Sequence, residues 1–177
     1  MKKIWYAPYK FESYGEEEIK AVEEALRSGW LGGQGPKSEE FEKAIAKRFG
    51  KNFGVFVNSG SSACLLAIAA LDLPKGSKII TPACTFSTTL APIIQLGYIP
   101  VFVDVDLDTM AISYENIKNA INENTKAIVL VHALGFNGIN EKLVALAKEH
   151  NLLLIEDCCE AHGATYKGIK VGAIGDM

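Results

Sequence analysis

The carboxylate of Asp157 comes shortly after an aliphatic segment near the end of the chain. The run Leu152–Ile155 predicts a buried strand, and Asp157 follows it almost at once. In open α/β sheets, ligands bind at the carboxyl ends of the strands, so this carboxylate is placed where a ligand would contact it. Because it is partly desolvated, it needs a positive partner, which a protonated heterocyclic nitrogen would supply. A structural ion pair or a helix cap is the alternative for a single Asp.

A second candidate site lies at Asn58–Ala63, between a predicted strand and an apolar helix. Free backbone N–H groups and serine hydroxyls at a helix start form an anion site. Serine is also a preferred N-cap, so a plain cap explains the same residues. The segment carries neither the Gly-Lys-Ser/Thr of a Walker loop nor a Gly-x-Gly-x-x-Gly dinucleotide pattern.

An aromatic ring follows the next predicted strand. The segment Pro82–Thr89 brings Phe86 and several hydroxyls to the same sheet edge as the serines. A flat ligand ring could stack on Phe86. For a single Phe, packing beneath the loop is the favoured alternative.

One ligand would satisfy all three groups. A phosphate would bind at Ser61, the face of a flat ring at Phe86 and a ring nitrogen at Asp157. Pyridoxal phosphate and pyridoxamine phosphate carry these three parts, and a carboxylate that keeps the nitrogen protonated makes the ring an effective electron sink. The residues therefore indicate a site for one of these cofactors.

Metal binding is the competing use of the acidic and sulfur-containing cluster that comprises Asp157, Cys158, Cys159 and His162. Adjacent cysteines cannot easily turn both sulfurs to one ion, and the sequence has no second Cys-x-x-Cys or His-x-x-x-His pair. A Cys–His nucleophile pair lacks a nominated oxyanion site and an orienting partner. We predict no metal site.

Short strand patterns alternate with helical patterns from residue 53 onward. The predicted order is strand Phe53–Val57, helix Ser61–Leu71, strand Lys78–Thr81, helix Thr88–Gln95, strand Ile99–Val103, helix Asn116–Ile121, strand Ala127–Val131, helix Ile139–His150 and strand Leu152–Ile155. This alternation predicts an α/β fold of three layers, a mostly parallel sheet with helices on both faces.

The two ends of the chain differ from this middle part. Helical patterns at Glu16–Leu26 and Ser38–Phe49 flank the loop Ser28–Pro36, which holds four glycines. We predict an N-terminal helical segment with a Gly-rich loop over residues 1–52 and a partial cofactor-binding domain over residues 53–177. Near the C-terminus we predict a hairpin that turns at Lys167-Gly168, with nothing after it to close the sheet. The sheet is therefore expected to be incomplete at the C-terminus.

Composition narrows the class of function. The 177 residues are 49% hydrophobic with a formal net charge of -3, which gives no electrostatic case for nucleic acid. The start Met1–Tyr6 lacks the apolar core of a signal peptide, and no apolar run is long enough to span a bilayer. We expect a cytoplasmic protein without membrane partners, whose four cysteines are reduced.

The order and the residues of several motifs resemble those of the DegT/DnrJ/EryC1/StrS family of nucleotide-sugar aminotransferases, which have the fold type I architecture of pyridoxal-phosphate enzymes. The likeness covers nearly the whole chain. It rests on Ser28–Leu31, Asn58–Ala63, Thr81–Phe86, Pro100–Val105, Glu156–Gly163 and Gly172–Asp176.

The resemblance implies a role for each candidate residue. Gly60, Ser61 and Ser62 would hold the cofactor phosphate. Phe86 would stack on the pyridine ring and Asp157 would form a salt link with its nitrogen. Another acid, Glu160, stands where many relatives have a Gln that faces the phenolic oxygen of the cofactor.

The same resemblance places the Schiff-base lysine just beyond Gly-x-x-Gly-Asp, and here the sequence stops at Met177. The catalytic residue and the small C-terminal domain are therefore expected to lie outside this chain. Lys167 and Lys170 belong to the preceding hairpin and do not match the catalytic position. We expect the truncated chain to be inactive alone.

By resemblance, the complete enzyme would transfer an amino group from an amino acid to a nucleotide-linked ketosugar in deoxyaminosugar or polysaccharide biosynthesis, and it would be a homodimer. A subgroup of sugar 3-dehydratases uses pyridoxamine phosphate and has histidine in place of the lysine, and Glu160 is compatible with it. The third alternative is a non-catalytic truncated domain.

Overall fold

The computed structural model describes residues 14–177, and the segment Met1–Tyr6 considered above lies outside them. Six α-helices, six strands and one short 3₁₀ turn are present in this part of the chain. In chain order they are α1 Glu16–Ser28, α2 Pro36–Phe49, α3 Gly60–Ala69, β1 Lys78–Pro82, α4 Ser87–Gln95, β2 Ile99–Val103, α5 Tyr114–Ala120, β3 Thr125–Val131, the 3₁₀ turn Ala133–Gly135, α6 Glu141–Glu149, β4 Leu153–Asp157, β5 Thr165–Tyr166 and β6 Ile169–Lys170.

The main sheet has four parallel strands in the order β2-β1-β3-β4. Its central strands are aliphatic and lie between two helical layers, so Ile79, Ile80 and Ile128 are fully buried. The pairing of Val131 with Asp157 aligns the carboxyl ends of β3 and β4. The predicted three-layer α/β fold with a parallel sheet is confirmed.

Helices cover both faces of the sheet. On one face, Ile68 of α3 and Ile93 of α4 pack against Ile79 and Val129 of the sheet. On the other face, α5 and α6 contribute Ile117, Leu143 and Leu146 to a core with Ile80 and Ile128. Successive strand residues point to opposite faces, and this alternation decides which side each residue of β4 serves.

The last described residues lie beside the free edge of β4. The Asp176 N–H donates to the Leu154 carbonyl at 2.7 Å, and the Glu156 N–H donates to the Met177 carbonyl at 2.9 Å. The Leu154 N–H also donates to Asp176 Oδ2 at 2.8 Å. These bonds hold residues 176 and 177 against the edge of the sheet.

The predicted strand Phe53–Val57 is wrong, since no strand occurs at these residues. A strand needs a neighbour that completes its backbone hydrogen bonds, and none of the four sheet strands pairs with this segment. Phe53 is 87% exposed and Val55 is 72% exposed. The Phe56 N–H is bonded instead by the Glu42 side chain at 2.7 Å. The segment has strand composition without a strand partner.

The N-terminal helices and the hairpin agree with the sequence patterns. Helices α1 and α2 flank an irregular glycine-containing loop, and β5 pairs with β6 in antiparallel fashion around Lys167-Gly168. No residue of α1 is buried, so its apolar side chains Ile19, Val22 and Leu26 stay exposed. Among residues 14–177, no helix combines the length and apolar content that crossing a bilayer requires.

Candidate functional site

Asp157 ends β4 and faces the helices α3 and α4. Its Oδ2 accepts from the Thr89 hydroxyl at 3.0 Å and lies 3.9 Å from the Cys64 sulfur. Its Oδ1 accepts from the Cys159 N–H at 3.1 Å. These three bonding partners are neutral, so the contacts orient the carboxylate without neutralising its charge. The described residues place no ion-pair partner on Asp157.

A mostly apolar cavity of about 170 Å³ lies beside this carboxylate. It is lined by Ala63, Cys64, Ala67, Ile68, Thr89, Val129, Ile155, Glu156, Asp157, Cys158, Cys159 and Met177. An uncompensated charge next to apolar walls strongly favours a positive partner. The cavity therefore fits a ligand that presents a cationic group to Asp157.

Helix α3 starts against the same end of the sheet. An ideal Cβ on Gly60 would lie 3.4 Å from the Cys159 sulfur, so a side chain there would crowd the residue that follows Asp157 by two positions. Cys64 lies one turn further along α3 and contacts Asp157. One face of α3 therefore packs against the Asp157 segment, and the start of this helix lies near the carboxylate.

The cap of α3 uses only part of the serine cluster. Ser59 is the N-cap, and its hydroxyl accepts from the Ser62 N–H at 3.2 Å. The Ser62 hydroxyl donates to Asn58 Oδ1 at 2.7 Å. The N–H groups of Gly60 and Ser61 have no partner inside the helix because they belong to its first turn. The cap interpretation is confirmed, and it leaves two first-turn N–H groups unused by the helix, so the anion site stays a prediction.

Phe86 is the N-cap residue of α4 and is 73% exposed. The alternative that its ring packs beneath the loop is wrong, because a ring this exposed contributes little to the core. The chain turns here so that Thr89, three residues later, can reach Asp157. The ring is thus presented at the same end of the sheet as the carboxylate.

Glu160 lies outside the contacts of Asp157. Its Oε2 accepts from the Leu134 N–H at 2.9 Å, and Leu134 has a positive φ of 53° in the 3₁₀ turn after β3. The acid therefore supports a strained turn next to the site with one oxygen and leaves the other oxygen open to a ligand.

A buried pair of His132 and Glu156 lies on the opposite face of β4, and sequence reasoning missed it. His132 Nε2 is 2.9 Å from Glu156 Oε2, and both side chains are fully buried. The Gly138 N–H donates to His132 Nδ1 at 3.0 Å, so the ring proton is on Nε2 and is donated to Glu156. A histidine directly after a buried strand was the available signal.

The Glu156 carboxylate also binds the turn that follows the hairpin. It accepts the N–H groups of Gly172 and Ile174 at 2.8 Å, and that of Gly175 at 2.5 Å. Burial by itself raises the pKa of Glu156, but the hydrogen bonds from His132 and these backbone groups outweigh burial and hold the pKa below its ordinary value. The carboxylate is therefore kept ionised inside the protein.

The group His132, Glu156 and Cys158 brings three potential metal ligands within 4.8 Å of one another. Both ring nitrogens of His132 already have partners, as do both oxygens of Glu156. Binding of an ion here would require several of these hydrogen bonds to break. The arrangement is typical of a structural polar network.

The thiols that border Asp157 are poor nucleophiles. Burial, the Asp157 charge and the hydrogen bond to Asp157 raise the pKa of Cys64 to about 11. Burial and the same carboxylate raise the pKa of Cys159 to about 12. Both cysteines are free, as expected for reduced thiols. They act at this site as neutral groups beside a negative charge.

We expect Cys159 in the folded chain to react with iodoacetamide at pH 8 about a thousandfold more slowly than the same cysteine in the urea-unfolded chain, because only the thiolate reacts. Tandem mass spectrometry of timed samples measures both rates at the same residue. Equal rates in the two states would contradict the raised pKa.

Lys167 lies at the tip of the hairpin and pairs with Glu141, the first residue of α6. The hydrogen bond to Glu141 raises the pKa of this lysine. Helix α6 covers the face of the sheet opposite to the Asp157 side chain. This placement agrees with the expectation that Lys167 does not take the catalytic position.

Solved structures share this fold. An aminotransferase from Psychrobacter cryohalolentis is 36% identical with a TM-score of 0.88, over 96% of this chain and 42% of that one. The E. coli GDP-4-keto-6-deoxy-D-mannose-3-dehydratase, solved with bound hydrated PLP, is 36% identical with a TM-score of 0.88, over 95% and 44% of the two chains. The fold is that of the large domain of the pyridoxal-phosphate-dependent transferases.

Residues 12–177 match the sequence model of the DegT/DnrJ/EryC1/StrS aminotransferase family, and the chain belongs to this family. It is also 39% identical over 175 residues to the spore coat polysaccharide biosynthesis protein SpsC of Bacillus subtilis. The aligned region covers 99% of this chain and 45% of that protein. The chain thus spans less than half the length of these relatives.

Proposed function

We propose that this chain is the cofactor-binding part of an enzyme that transfers an amino group from an amino acid to a nucleotide-linked ketosugar, in the synthesis of a polysaccharide or deoxyaminosugar. The observation that carries the proposal is the Asp157 carboxylate, which lies at the carboxyl end of β4 beside an apolar cavity and has only neutral partners. Family membership supplies the class of reaction.

The residues at this end of the sheet fit a phosphorylated pyridine. The first-turn N–H groups of Gly60 and Ser61 suit a phosphate, and the Ser62 hydroxyl would join them by turning from Asn58. The exposed ring of Phe86 suits the face of the pyridine, and Asp157 suits its protonated nitrogen. Glu160 is proposed to face the phenolic oxygen with the carboxylate oxygen that Leu134 does not use.

Pyridoxal or pyridoxamine phosphate, when bound, supplies an electron sink for chemistry at the carbon next to the transferred nitrogen. The role of Asp157 would be to hold the proton on the ring nitrogen. The apolar walls of Ala63, Ala67 and Ile155 exclude water from that pair. This chain thus would bind, orient and protonate the cofactor, while the sugar contacts are assigned to the rest of the complete protein.

A sugar 3-dehydratase is the second candidate. The E. coli 3-dehydratase and the Psychrobacter aminotransferase have the same identity to this chain, 36%, and the same TM-score, 0.88, so the likeness supports both candidates equally. The residue at the catalytic position separates the two. In the complete protein, borohydride would trap pyridoxal phosphate on a lysine at that position, whereas a histidine would leave the cofactor extractable.

We further propose a homodimer in which the Gly-rich loop contributes to the site of the partner. Trp30 and Leu31 in this loop are 60% and 69% exposed. The Trp30 indole N–H donates to the Gln34 carbonyl at 2.8 Å, so the loop has a defined internal structure. Exposed apolar side chains on an ordered loop suit a protein interface.

We expect the chain to bind pyridoxamine 5'-phosphate saturably, because this cofactor form needs no lysine. Phe86→Ala should weaken the binding about fivefold through loss of ring stacking. Titration followed by the fluorescence of the cofactor measures both affinities. The matched control is Phe102→Ala, which removes an exposed ring from β2 and should leave the affinity unchanged.

Absence of saturable binding by the unmodified chain would contradict the proposed function. With pyridoxal 5'-phosphate and borohydride, we expect no stoichiometric adduct at Lys167 or Lys170. A stoichiometric adduct at one of them would contradict the assignment of the catalytic position beyond the hairpin.

A further inference from the structure

Two threonine hydroxyls form a line that ends on Asp157. The Thr85 Oγ1 lies 3.0 Å from Thr89 Oγ1, which in turn lies 3.0 Å from Asp157 Oδ2. Thr89 is only 3% exposed, whereas Thr85, two residues before the first residue of α4, is half-buried. A helical Thr often bonds a backbone carbonyl one turn earlier, but this hydroxyl is used between two side chains.

The donors and acceptors allow one direction for these bonds. An ionised carboxylate only accepts, so the single proton of the Thr89 hydroxyl must go to Asp157. Thr89 then accepts through its oxygen, and the Thr85 hydroxyl must donate to it. Each donor in the line is polarised by the charge at the end, which strengthens both bonds.

The donors around Asp157 also determine which of its carboxylate oxygens can accept a further hydrogen bond. Each oxygen of an ionised carboxylate has about two accepting positions. At Oδ2, Thr89 and the weaker donor Cys64 fill both of them. At Oδ1, the Cys159 N–H fills one. Oδ1 therefore keeps acceptor capacity for a further donor, with the weakly donating Cys159 thiol beside the carboxylate.

We propose that Thr85 and Thr89 are positioning residues that orient Asp157 so that Oδ1 receives the protonated ring nitrogen of the cofactor, and that they favour the ionised carboxylate in that pair. This inference rests on the proposed function. Removal of the Thr89 donor makes the carboxylate a better proton acceptor, so the shared proton moves from the ring nitrogen toward Asp157.

The test uses pyridoxamine 5'-phosphate with a 15N-labelled ring nitrogen, bound to the chain. Thr89→Val keeps the shape of the side chain without the hydroxyl. We expect it to move the 15N signal from the pyridinium position toward that of neutral pyridine and to weaken binding about tenfold. Thr89→Ser retains the hydroxyl and should stay close to the unmodified chain. Thr88→Val, at the preceding position of α4, is the matched control.

Thr85→Val offers a second route if the buried substitution prevents folding, and we expect a shift in the same direction with about threefold weaker binding. Binding that depends on Asp157 but is unchanged in both threonine variants would overturn the proposed positioning role of Thr85 and Thr89 and leave the proposed function intact. If the unmodified chain does not bind the cofactor, the proposed function fails. Crystal structures of the chain and of Thr89→Val then still test whether the threonines orient Asp157, because a carboxylate that keeps its orientation without the hydroxyl would contradict that role.

Discussion

Replacing Asp157 with Asn is expected to weaken binding of pyridoxamine 5'-phosphate about a hundredfold. The carboxylate borders an apolar cavity and has no ion-pair partner among the described residues, so its loss leaves a bound ring cation without its proposed partner. The Asn side chain also has an NH₂ group in place of one carboxylate oxygen. Because Thr89 and Cys159 both donate to the carboxylate oxygens, one of these donors would then face another donor. Fluorescence titration measures the affinity, and the 15N signal of the ring nitrogen should move to the neutral position.

Asp104→Asn is the matched control for this variant. Asp104 also follows a strand of the same sheet directly, but it is exposed, and its Oδ1 accepts only the neighbouring Val105 N–H at 2.9 Å. Its substitution should leave binding unchanged. Equal affinity of Asp157→Asn and the unmodified chain would remove the main support for the cofactor site.

Glu156→Gln is expected to lower the free energy of unfolding by about 3 kcal/mol. The buried carboxylate accepts from His132 and from the N–H groups of Gly172, Ile174 and Gly175. A Gln side chain keeps one acceptor oxygen and turns an NH₂ group toward donors, so at least one buried donor loses its partner. Urea unfolding followed by circular dichroism measures the difference.

The difference in unfolding free energy between the unmodified chain and Glu156→Gln should depend on pH in a defined direction. The folded state holds the pKa of Glu156 below its ordinary value, so its contribution is full above about pH 4.3, the usual pKa of Glu, and is lost as the pH falls through the lowered value. Glutamine does not titrate, and the gap should therefore shrink in acid. Glu149→Gln, an exposed change on α6, is the control. A gap that stays constant down to acid unfolding would contradict the ionised state.

The consequence of losing Glu156 reaches beyond stability. The turn that it binds, Gly172–Gly175, leads to Asp176 and Met177 at the edge of β4. Gly172 has a φ of +87°, and a Cβ there would lie 3.1 Å from the Cys158 sulfur, so the turn has little freedom to rearrange. The carboxylate and the glycine together determine where the chain passes the sheet edge.

Local patterns predicted most elements because their causes are local. The strand Ile99–Val103 was predicted with the bounds that the structure has, and β1, β3 and β4 were predicted to within about two residues. Aliphatic runs separated by capped amphipathic helices produce this α/β alternation whatever the distant contacts are. The expected grouping of Ser61, Phe86 and Asp157 at one edge rests on the rule for strand ends in parallel sheets.

Partners distant in sequence decided the rest. The segment Phe53–Val57 has the composition of a strand, but strand formation depends on a neighbour that the four-stranded sheet does not supply. Glu156 and Asp157 are adjacent in the acidic cluster, yet the alternation along β4 sends them to opposite faces of the sheet. Only the packed structure assigns Glu156 to His132 and Asp157 to the helix side.

The sequence by itself determined the fold class, the family and the three groups expected to bind a cofactor, because residue types and strand ends carry that information. Tertiary structure alone decided how those groups are supported. The side-chain donors on Asp157 that the structure places there are Cys64 and Thr89, which lie 93 and 68 residues away along the chain, whereas the Cys159 N–H is local. Hydrogen bonds over such separations depend on how helices settle on the sheet, and no local pattern encodes that geometry.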